Sequence, residues 1–265
     1  MSAMASTAKR ILAIQNMEGE GFGRVERHLR RAGHGVSVVR AEREALPRPD
    51  EWDAVIVGGT PLAAYEWDRH AFLRDEAGFL RRAAAASVPC LGICFGSQFL
   101  AQLLGGRAFK AARKEIGRYE VHLTDEGRRD ALLAGFPPRF PAFQWHGDTF
   151  DLPPGASLLA RGEGCRNQLF RRDLVVGVQF HPEVTAGDAA RWAGMYAEEL
   201  VDAGKTAEQV VAECREVDLE MERLAAVLLD NFVATIPQRF RLAIPGARRS
   251  SGRPAAADRG RAVVS

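Results

Sequence analysis

VPCLGICFGSQFLAQLLGG, residues Val88 to Gly106, contains the transition that decides the fold class. It begins as an apolar run typical of a buried strand and continues at once as an amphipathic helical pattern. Cys94 stands between Gly92 and Gly96, at the point where the strand pattern stops. The stretch therefore predicts a sharp strand-to-helix turn, which either contains a thiol incidentally or serves to present it.

A cysteine placed at such a turn has a chemical use. A free thiol is a poor nucleophile, because only a few per cent of it is ionised at neutral pH. The positive end of a helix and its unpaired N–H groups favour the thiolate. Gly92 and Gly96 lack a Cβ, so the strand and the helix can approach closely. The alternative is a small core cysteine between turn glycines, and the spacing G-x-C-x-G alone leaves both interpretations open.

Outward from this turn, apolar strand patterns alternate with helical ones. RILAIQN, GVSVVR and DAVIVGG precede VPCLGIC, with helical segments between them. This order favours a three-layer, doubly wound and mainly parallel sheet of the α/β class. After Gly106 the runs are separated by turns and predict strands and hairpins, a small antiparallel addition. Helical patterns return near Asp188 and Thr206, and the first of them continues without interruption to Gly204.

Length and composition narrow the class of protein. The chain has 265 residues, of which 46% are hydrophobic, enough for one substantial core. No apolar run approaches the roughly 20 residues that span a bilayer, and the N-terminus carries no apolar signal segment. Four scattered cysteines do not make a disulfide framework. We therefore expect a cytoplasmic protein with free thiols and no membrane partner.

The charge is unevenly distributed along the chain. The formal net charge is +2, yet the stretch after Gln238 carries seven arginines and one aspartate. We predict a domain over 1–236, with a core at about 10–204 and a helical addition at about 205–236. Residues 237–265 are predicted to be a basic, disordered tail, and we expect no nucleic-acid partner. The addition could dock on its own domain or on a partner through Val210, Val211, Val217, Leu219, Leu224, Val227 and Leu228.

A second sequence feature supports a reactive Cys94. His181-Pro182-Glu183 follows the apolar run LVVGVQF, and ligands of parallel sheets bind beyond the carboxyl ends of strands. A histidine can act as base and acid near neutral pH, and a carboxylate can orient its ring. Residues two apart in an extended segment point to the same side. The alternative is a solvated surface loop, but the combination with Cys94 predicts a Cys-His-Glu constellation.

Backbone donors complete the predicted site. Gly58 and Gly59 end the apolar run DAVIV, and a glycine exposes its N–H without a side chain in the way. The N–H groups of Gly59 and Phe95 would then stabilise an oxyanion beside the sulfur. Cysteine spacing gives no metal site, and GEGFG near residue 20 lacks phosphate-loop spacing, so we interpret it as a turn.

These motifs resemble the class I glutamine amidotransferase domain over about Arg10 to Gly204. The resemblance includes the nucleophile elbow GICFGSQ at 92–98, the His-Pro-Glu motif at 181–183, VGGTP at 57–61, KEIG at 114–117 and FQWHGDTFDLPPGASLLA at 143–160. The resemblance is strongest to the stand-alone branch of this family, which is related to the glutaminase half of GMP synthase. The resemblance implies a flavodoxin-like fold and a reaction without a cofactor.

The resemblance also implies a role for each site residue. Cys94 would attack the side-chain amide of glutamine, and His181, oriented by Glu183, would protonate the departing ammonia. The oxyanion would lie between the N–H groups of Gly59 and Phe95. The residues implied for the amino-acid end of the substrate are Gln98, His146, Gly147 and Asp148.

Three functions stay open at this point. No nucleotide-binding synthase half is recognisable, so the chain would be a glutaminase that supplies ammonia to a separate synthase. The second possibility is a free-standing hydrolase of γ-glutamyl peptides or amides, since the thioester chemistry is the same. A non-catalytic binding module that kept the fold is the third, although Cys94, His181 and Glu183 are all present.

Overall fold

The computed structural model describes residues 8–238. Within them the strands are β1 (Arg10–Gln15), β2 (Gly35–Arg40), β3 (Ala54–Val57), β4 (Cys90–Ile93), β5 (Arg107–Leu123), β6 (Arg139–Asp151), β7 (Ser157–Gly162), β8 (Asn167–Arg172) and β9 (Val175–Val178). The α-helices are α1 (Gly23–Arg31), α2 (Ala71–Ala85), α3 (Phe95–Leu103), α4 (Asp125–Arg129), α5 (Ala186–Met195), α6 (Ala197–Asp202) and α7 (Ala207–Ala234). Short 3-10 turns lie at Pro49–Glu51, Ala64–Arg69 and Ala131–Leu133.

One mixed sheet contains all of these strands, in the order β2-β1-β3-β4-β9-β8-β7-β5-β6. The first five pair in parallel, and the other four continue the sheet antiparallel. β3, β4 and β9 are buried at every residue, as expected for parallel strands that are covered on both faces. The predicted α/β class, with a mainly parallel sheet and an antiparallel addition, is confirmed.

Alternation of side chains along β1 divides the core into two layers. Ile11 and Ala13 pack on the side of α1, α5 and α7, whereas Leu12 and Ile14 pack on the side of α2 and α3. Successive side chains of a strand point to opposite faces, so each apolar run supplies both layers at once. The result is the predicted three-layer arrangement.

The long helix α7 docks on the same domain through one apolar face. Val210, Val217, Leu224 and Leu228 are buried, but Leu219, also expected on this face, is 88% exposed. Two residues along a helix rotate the side chain by about 200°, so Leu219 points away from the side that Val217 buries. Of the two possibilities left open for this helix, the structure shows docking on its own domain.

Arg24 joins α1 to α7 and to the segment that follows Glu183. It is 1% exposed, and its guanidinium donates hydrogen bonds to the carbonyl oxygens of Val184 and Asp218 and to the Asp218 carboxylate. The backbone N–H of Arg24 also donates to the carbonyl oxygen of Glu183 at 3.1 Å. Buried charged groups require such partners. This contact holds the His-Pro-Glu segment against the first helix.

The prediction of a single helix from Asp188 to Gly204 is wrong in one respect, because the helix is interrupted at Tyr196. Tyr196 has φ −121° and ψ 39°, outside the helical region, and separates α5 from α6. Its hydroxyl donates to Oε1 of Glu20, a contact that the periodicity of the helix cannot show.

Among residues 8–238, no helix combines the length and the apolarity that crossing a membrane requires. The predicted basic tail, apart from its first two positions, lies outside the described residues. The boundaries near residues 204 and 236 stay predictions.

Glu76, on α2, places a carboxylic acid inside the core. It is fully buried, its Oε1 accepts a hydrogen bond from Nδ2 of Asn16 at 3.4 Å, and burial raises the pKa of Glu76 to about 8. The folded state therefore binds more protons than the unfolded state between pH 4.5 and about 8, and the free energy of unfolding falls as the pH rises through this range. The decline amounts to about 5 kcal/mol at most.

We expect Glu76→Gln to remove this part of the decline, because an amide of the same shape does not ionise. Urea unfolding at pH 5 and at pH 8 should show a smaller difference for the variant than for the wild-type protein. An equal pH dependence in both proteins would contradict the assignment.

Candidate active site

The turn between β4 and α3 is as sharp as the sequence predicts. Cys94 has φ +51° and ψ −112°, a conformation that is uncommon for a residue other than glycine and typical of strained functional turns. A Cβ at Gly92 would lie 2.4 Å from the carbonyl group of Gly96. A Cβ at Gly96 would lie 2.3 Å from the carbonyl oxygen of Val57 on β3. Backbone meets backbone on both sides of Cys94, so only glycine fits at either position.

His181 reaches Cys94 from the neighbouring strand. β9 pairs in parallel with β4, with Gly177 opposite Gly92, so the chain leaves both strands at the same edge of the sheet. Nδ1 of His181 lies 2.6 Å from Oε1 of Glu183, and Nε2 of His181 and Sγ of Cys94 lie 3.2 and 3.7 Å from the same carbonyl oxygen, that of Trp145. His181 and Glu183 are 2% and 5% exposed. The three predicted side chains thus lie together, with the ring and the sulfur next to one backbone carbonyl group.

Opposite charges decide the protonation of His181. Burial by itself lowers the pKa of His181, but the Glu183 carboxylate and Cys94 outweigh it and raise this pKa well above its ordinary value. Nδ1–H then donates to Glu183, and Nε2 lies on the side of Cys94, 3.2 Å from the carbonyl oxygen of Trp145. A protonated ring in this position can give a proton to an atom bound near the sulfur.

Gly59 and Phe95 lie where the sequence predicts backbone donors. Phe95 lines the cleft next to Cys94, and a Cβ at Gly59 would lie 4.0 Å from Cε1 of His181. In the part of the chain that the structure describes, no protein group accepts a hydrogen bond from the backbone N–H of either residue. Unpaired N–H groups next to the thiol, as at Phe95, and near the histidine, as at Gly59, are what an oxyanion would need.

Gln98 fastens the segment from His146 to Asp148. Its Nε2 donates to the carbonyl oxygen of Asp148 at 3.0 Å and to Oε1 of Gln179 at 3.2 Å. Nδ1 of His146 donates to the same carbonyl oxygen at 3.0 Å. Gln98, His146, Gly147 and Asp148 all line the cleft. The Gln98 amide and the His146 ring make contacts inside the protein, so the groups of this segment left for a substrate are the Asp148 carboxylate and the remaining backbone groups.

Behind this segment, Glu115, His146 and Cys165 form a buried cluster. One ligand atom of each lies within 4.8 Å of the others, a donor set that could hold a metal ion. Oε2 of Glu115 lies 3.3 Å from Nε2 of His146, and Oε1 accepts the backbone N–H of Cys165 at 2.9 Å. Burial raises the pKa of Cys165 to about 11, which keeps the thiol protonated at neutral pH. We interpret the cluster as support for the segment; cysteine spacing, from which we predicted no metal site, does not reveal it.

Glu20 is one of the cleft residues that the sequence patterns did not predict, because GEGFG was interpreted as a turn only. The cleft, of about 220 Å³, is lined by Glu20 as well as by Cys94 and His181. Oε1 of Glu20 accepts a hydrogen bond from the Tyr196 hydroxyl at 2.5 Å. One signal was available: Glu20 follows the carboxyl end of β1, the same kind of position as Cys94 and His181.

Comparison with known proteins agrees with this geometry. The family model described as glutamine amidotransferase class-I matches residues 20–192. The chain is 35% identical over 178 residues to the glutamine amidotransferase-like protein YfeJ of Salmonella typhimurium, covering 65% of this chain and 74% of that protein. It is 38% identical over 138 residues to one subunit of the glutamine-hydrolyzing GMP synthase from Sulfolobus acidocaldarius, covering 51% of this chain and 69% of that protein.

Longer relatives and solved structures extend the comparison. The match to the GMP synthase of Thermomicrobium roseum, 35% identical over 150 residues, spans only 27% of that protein. The structure of a glutamine amidotransferase from Thermotoga maritima, 33% identical, superposes with a TM-score of 0.79 over 85% of this chain and 98% of that one. With the family model spanning more than half of its length, the chain belongs to the class I glutamine amidotransferase family.

Proposed function

We propose that this protein hydrolyses the side-chain amide of glutamine through a γ-glutamyl thioester on Cys94. The observation that carries the proposal is the set of contacts at the strand-to-helix turn. There Nε2 of His181 and Sγ of Cys94 lie 3.2 and 3.7 Å from one carbonyl oxygen, that of Trp145, and Glu183 holds the other ring nitrogen at 2.6 Å. A cysteine, a base near it and a group that orients the base are the parts that nucleophilic catalysis requires.

Each step then has a group on this chain. The Cys94 sulfur forms a bond to the amide carbon, and the charge on the amide oxygen is stabilised by the N–H groups of Gly59 and Phe95. The carbon–nitrogen bond breaks as the nitrogen takes the Nε2 proton of His181 and leaves as ammonia. A water molecule gives a proton back to Nε2 and attacks the thioester, which releases glutamate and restores the thiolate. Glu183 keeps the ring in the orientation that both proton transfers need.

The amino-acid end of glutamine would lie against the segment from His146 to Asp148. Gln98 holds this segment in place, and Lys110 and Asp148 line the same part of the cleft. Opposite charges there suit a substrate end that carries both an ammonium and a carboxylate.

A separate synthase subunit would use the ammonia, and the cytoplasm would be the site of the reaction. Relatives that are named as one subunit of a GMP synthase support the first statement. The free cysteines Cys90, Cys94, Cys165 and Cys214 are in keeping with a reducing compartment.

The test is to incubate the purified chain with glutamine and to measure glutamate and ammonia, which should appear in equal amounts. A chloroketone analogue of glutamine should modify Cys94, as seen by peptide mass spectrometry. Modification without turnover would indicate a competent site that requires its synthase. Neither turnover nor modification would support a non-catalytic binding module instead.

A second candidate, the free-standing hydrolase of γ-glutamyl amides, is favoured by a different observation. The carboxylate of Glu20 lines the same cleft as His181, the predicted proton donor, and the charge of His181 partly offsets the rise that burial causes in the pKa of Glu20. Cys94, His181 and Glu183 serve both reactions, so the surroundings of the leaving group must distinguish them.

A further inference from the structure

The leaving group and the amino-acid end of a substrate must occupy different parts of the cleft. A leaving nitrogen takes its proton from His181, so it lies on the side of that ring. The amino-acid end lies on the side of Gln98 and of the segment from His146 to Asp148. Glu20, Trp192, Tyr196 and Glu199 line the cleft around His181 and are here called the leaving-group wall.

Glu20 is held at the reacting centre by contacts from two elements. Its Oε1 accepts the Tyr196 hydroxyl at 2.5 Å, and Nε1 of Trp192 donates to the carbonyl oxygen of the preceding Gly19 at 3.4 Å. Its Oε2 would lie 2.8 Å from a Cβ on Gly59, a point only 4.0 Å from Cε1 of His181. The carboxylate therefore lies next to Gly59 and on the same side of the cleft as His181.

In the described part of the chain, this carboxylate forms no ion pair with a lysine or an arginine, although Glu20 is only 9% exposed. His181 is the cationic group that acts on it. Burial raises the pKa of Glu20, and the charge of His181 offsets this only in part. Glu199 differs, because Nζ of Lys114 lies 3.5 Å from its carboxylate. Of these two carboxylates, Glu20 would thus stabilise a bound cation more than Glu199 would.

Aromatic rings complete the wall. Trp192 stands edge-on to His181, with ring centroids 5.0 Å apart, and edge-on to Trp145 at 5.8 Å. Carboxylates interleaved with the faces of tryptophan and tyrosine are typical of sites that bind ammonium groups. A carboxylate in this wall can pair with a second, positively charged nitrogen of the leaving group, which the ammonia released from glutamine does not have.

We propose that the leaving-group wall, through Glu20, selects γ-glutamyl amides whose leaving group is an amine with a second, positively charged nitrogen. This inference rests on the second candidate function above, the hydrolysis of γ-glutamyl amides through Cys94, and names its substrate class. In the acylation step the Cys94 sulfur bonds to the γ-carbonyl carbon and the carbon–nitrogen bond breaks. The nitrogen takes the His181 proton, and the diamine leaves with its distal ammonium paired to Glu20. Water then releases glutamate from the thioester.

The experiment compares two amides of equal shape, γ-glutamyl-1,4-diaminobutane and γ-glutamyl-pentylamine, in which a methyl group replaces the distal ammonium. We expect the wild-type kcat/KM to be at least tenfold higher for the cationic amide, a ratio that corresponds to one charged hydrogen bond. γ-Glutamyl-4-aminobutyrate, with a distal carboxylate, should be the poorest of the three. A wild-type ratio near one, or a preference for the neutral or anionic amide, would overturn the proposal without any variant.

The variant Glu20→Gln should bring the ratio of cationic to neutral amide close to one. Glu18→Gln is the matched control, because Glu18 lies two residues away and pairs with Arg43 at the surface; its ratio should equal that of the wild type. A fall of kcat/KM by the same factor for both amides in Glu20→Gln would assign Glu20 to the reaction itself and reject the cation subsite.

Two measurements, turnover of glutamine and modification of Cys94 by the chloroketone analogue, distinguish failure of the cation subsite from failure of the Cys94 chemistry. Turnover of glutamine without preference for the cationic amide would refute the subsite and leave the Cys94 chemistry standing. Modification of Cys94 without hydrolysis of any amide would also refute the subsite. Absence of both turnover and modification would refute the proposed function and the subsite together.

Discussion

Replacing Cys94 by serine should lower the turnover of glutamine, or of any γ-glutamyl amide, by at least about a thousandfold. A serine hydroxyl is not ionised at neutral pH, so the nucleophile is lost although only one atom changes. Removal of the nucleophile from a set of residues that act together is among the most damaging changes to an enzyme. Release of glutamate, measured under saturating substrate, is the readout.

The control for this variant is Cys90→Ser, four residues earlier on β4. Cys90 is fully buried, its thiol donates to the carbonyl oxygen of Val88, and burial raises the pKa of Cys90 to about 12. A serine can make the same hydrogen bond, so this variant should retain most of the activity. Both variants should unfold within a few degrees of the wild type. Activity that survives in Cys94→Ser would refute the assignment of the nucleophile.

Gly96→Ala should damage stability and activity together, with a loss of about 3 kcal/mol or more in the free energy of unfolding. The new Cβ would lie 2.3 Å from the carbonyl oxygen and 2.9 Å from the carbonyl carbon of Val57, and backbone atoms cannot move aside as a side chain can. Val57 precedes Gly58 and Gly59, so any displacement also moves the predicted oxyanion donor. The free energy of unfolding, measured with urea, and the rate of glutamate release should therefore both be lower in this variant.

Gly194→Ala provides the opposite expectation within the same protein. Gly194 lies inside α5, and a Cβ there would meet nothing within 4 Å. Alanine is a better helix former than glycine, so this variant should gain about 0.5–1 kcal/mol. A Gly96→Ala variant as stable as the wild type would show that α3 can shift away from β3. The short distance between Gly96 and Val57 would then not be the reason for a glycine at this position.

Much of the site could be predicted because its signals are local. Gly92, Cys94 and Gly96 form a turn whose geometry depends on residues four apart, and His181 and Glu183 are two apart in an extended segment. The buried strands are equally local, since β3, β4 and β9 are short apolar runs. Parallel pairing of β4 with β9 then brings the two motifs to one edge of the sheet without further information.

The surroundings of the site depend on contacts that no local pattern encodes. Glu20 meets Tyr196 across 176 residues of sequence, and this contact accompanies the break between α5 and α6. Cys165 meets Glu115 across 50 residues, although its spacing from other cysteines suggested nothing. Such contacts depend on how helices and strands pack in three dimensions, which varies with side-chain shape over the whole core.

By itself, the sequence determined the α/β class and the strand-to-helix turn at Cys94, and it predicted His181 and Glu183 as the partners of Cys94. Steric exclusion at glycine, the alternation of strands and the spacing of His181 and Glu183 act over a few residues and can be recognised without a structure. Only the tertiary structure decided that Glu20 lies in the cleft and that α7 turns Leu219 to solvent. The positions of distant residues follow from packing, because an interior as dense as a crystal admits one arrangement of its elements.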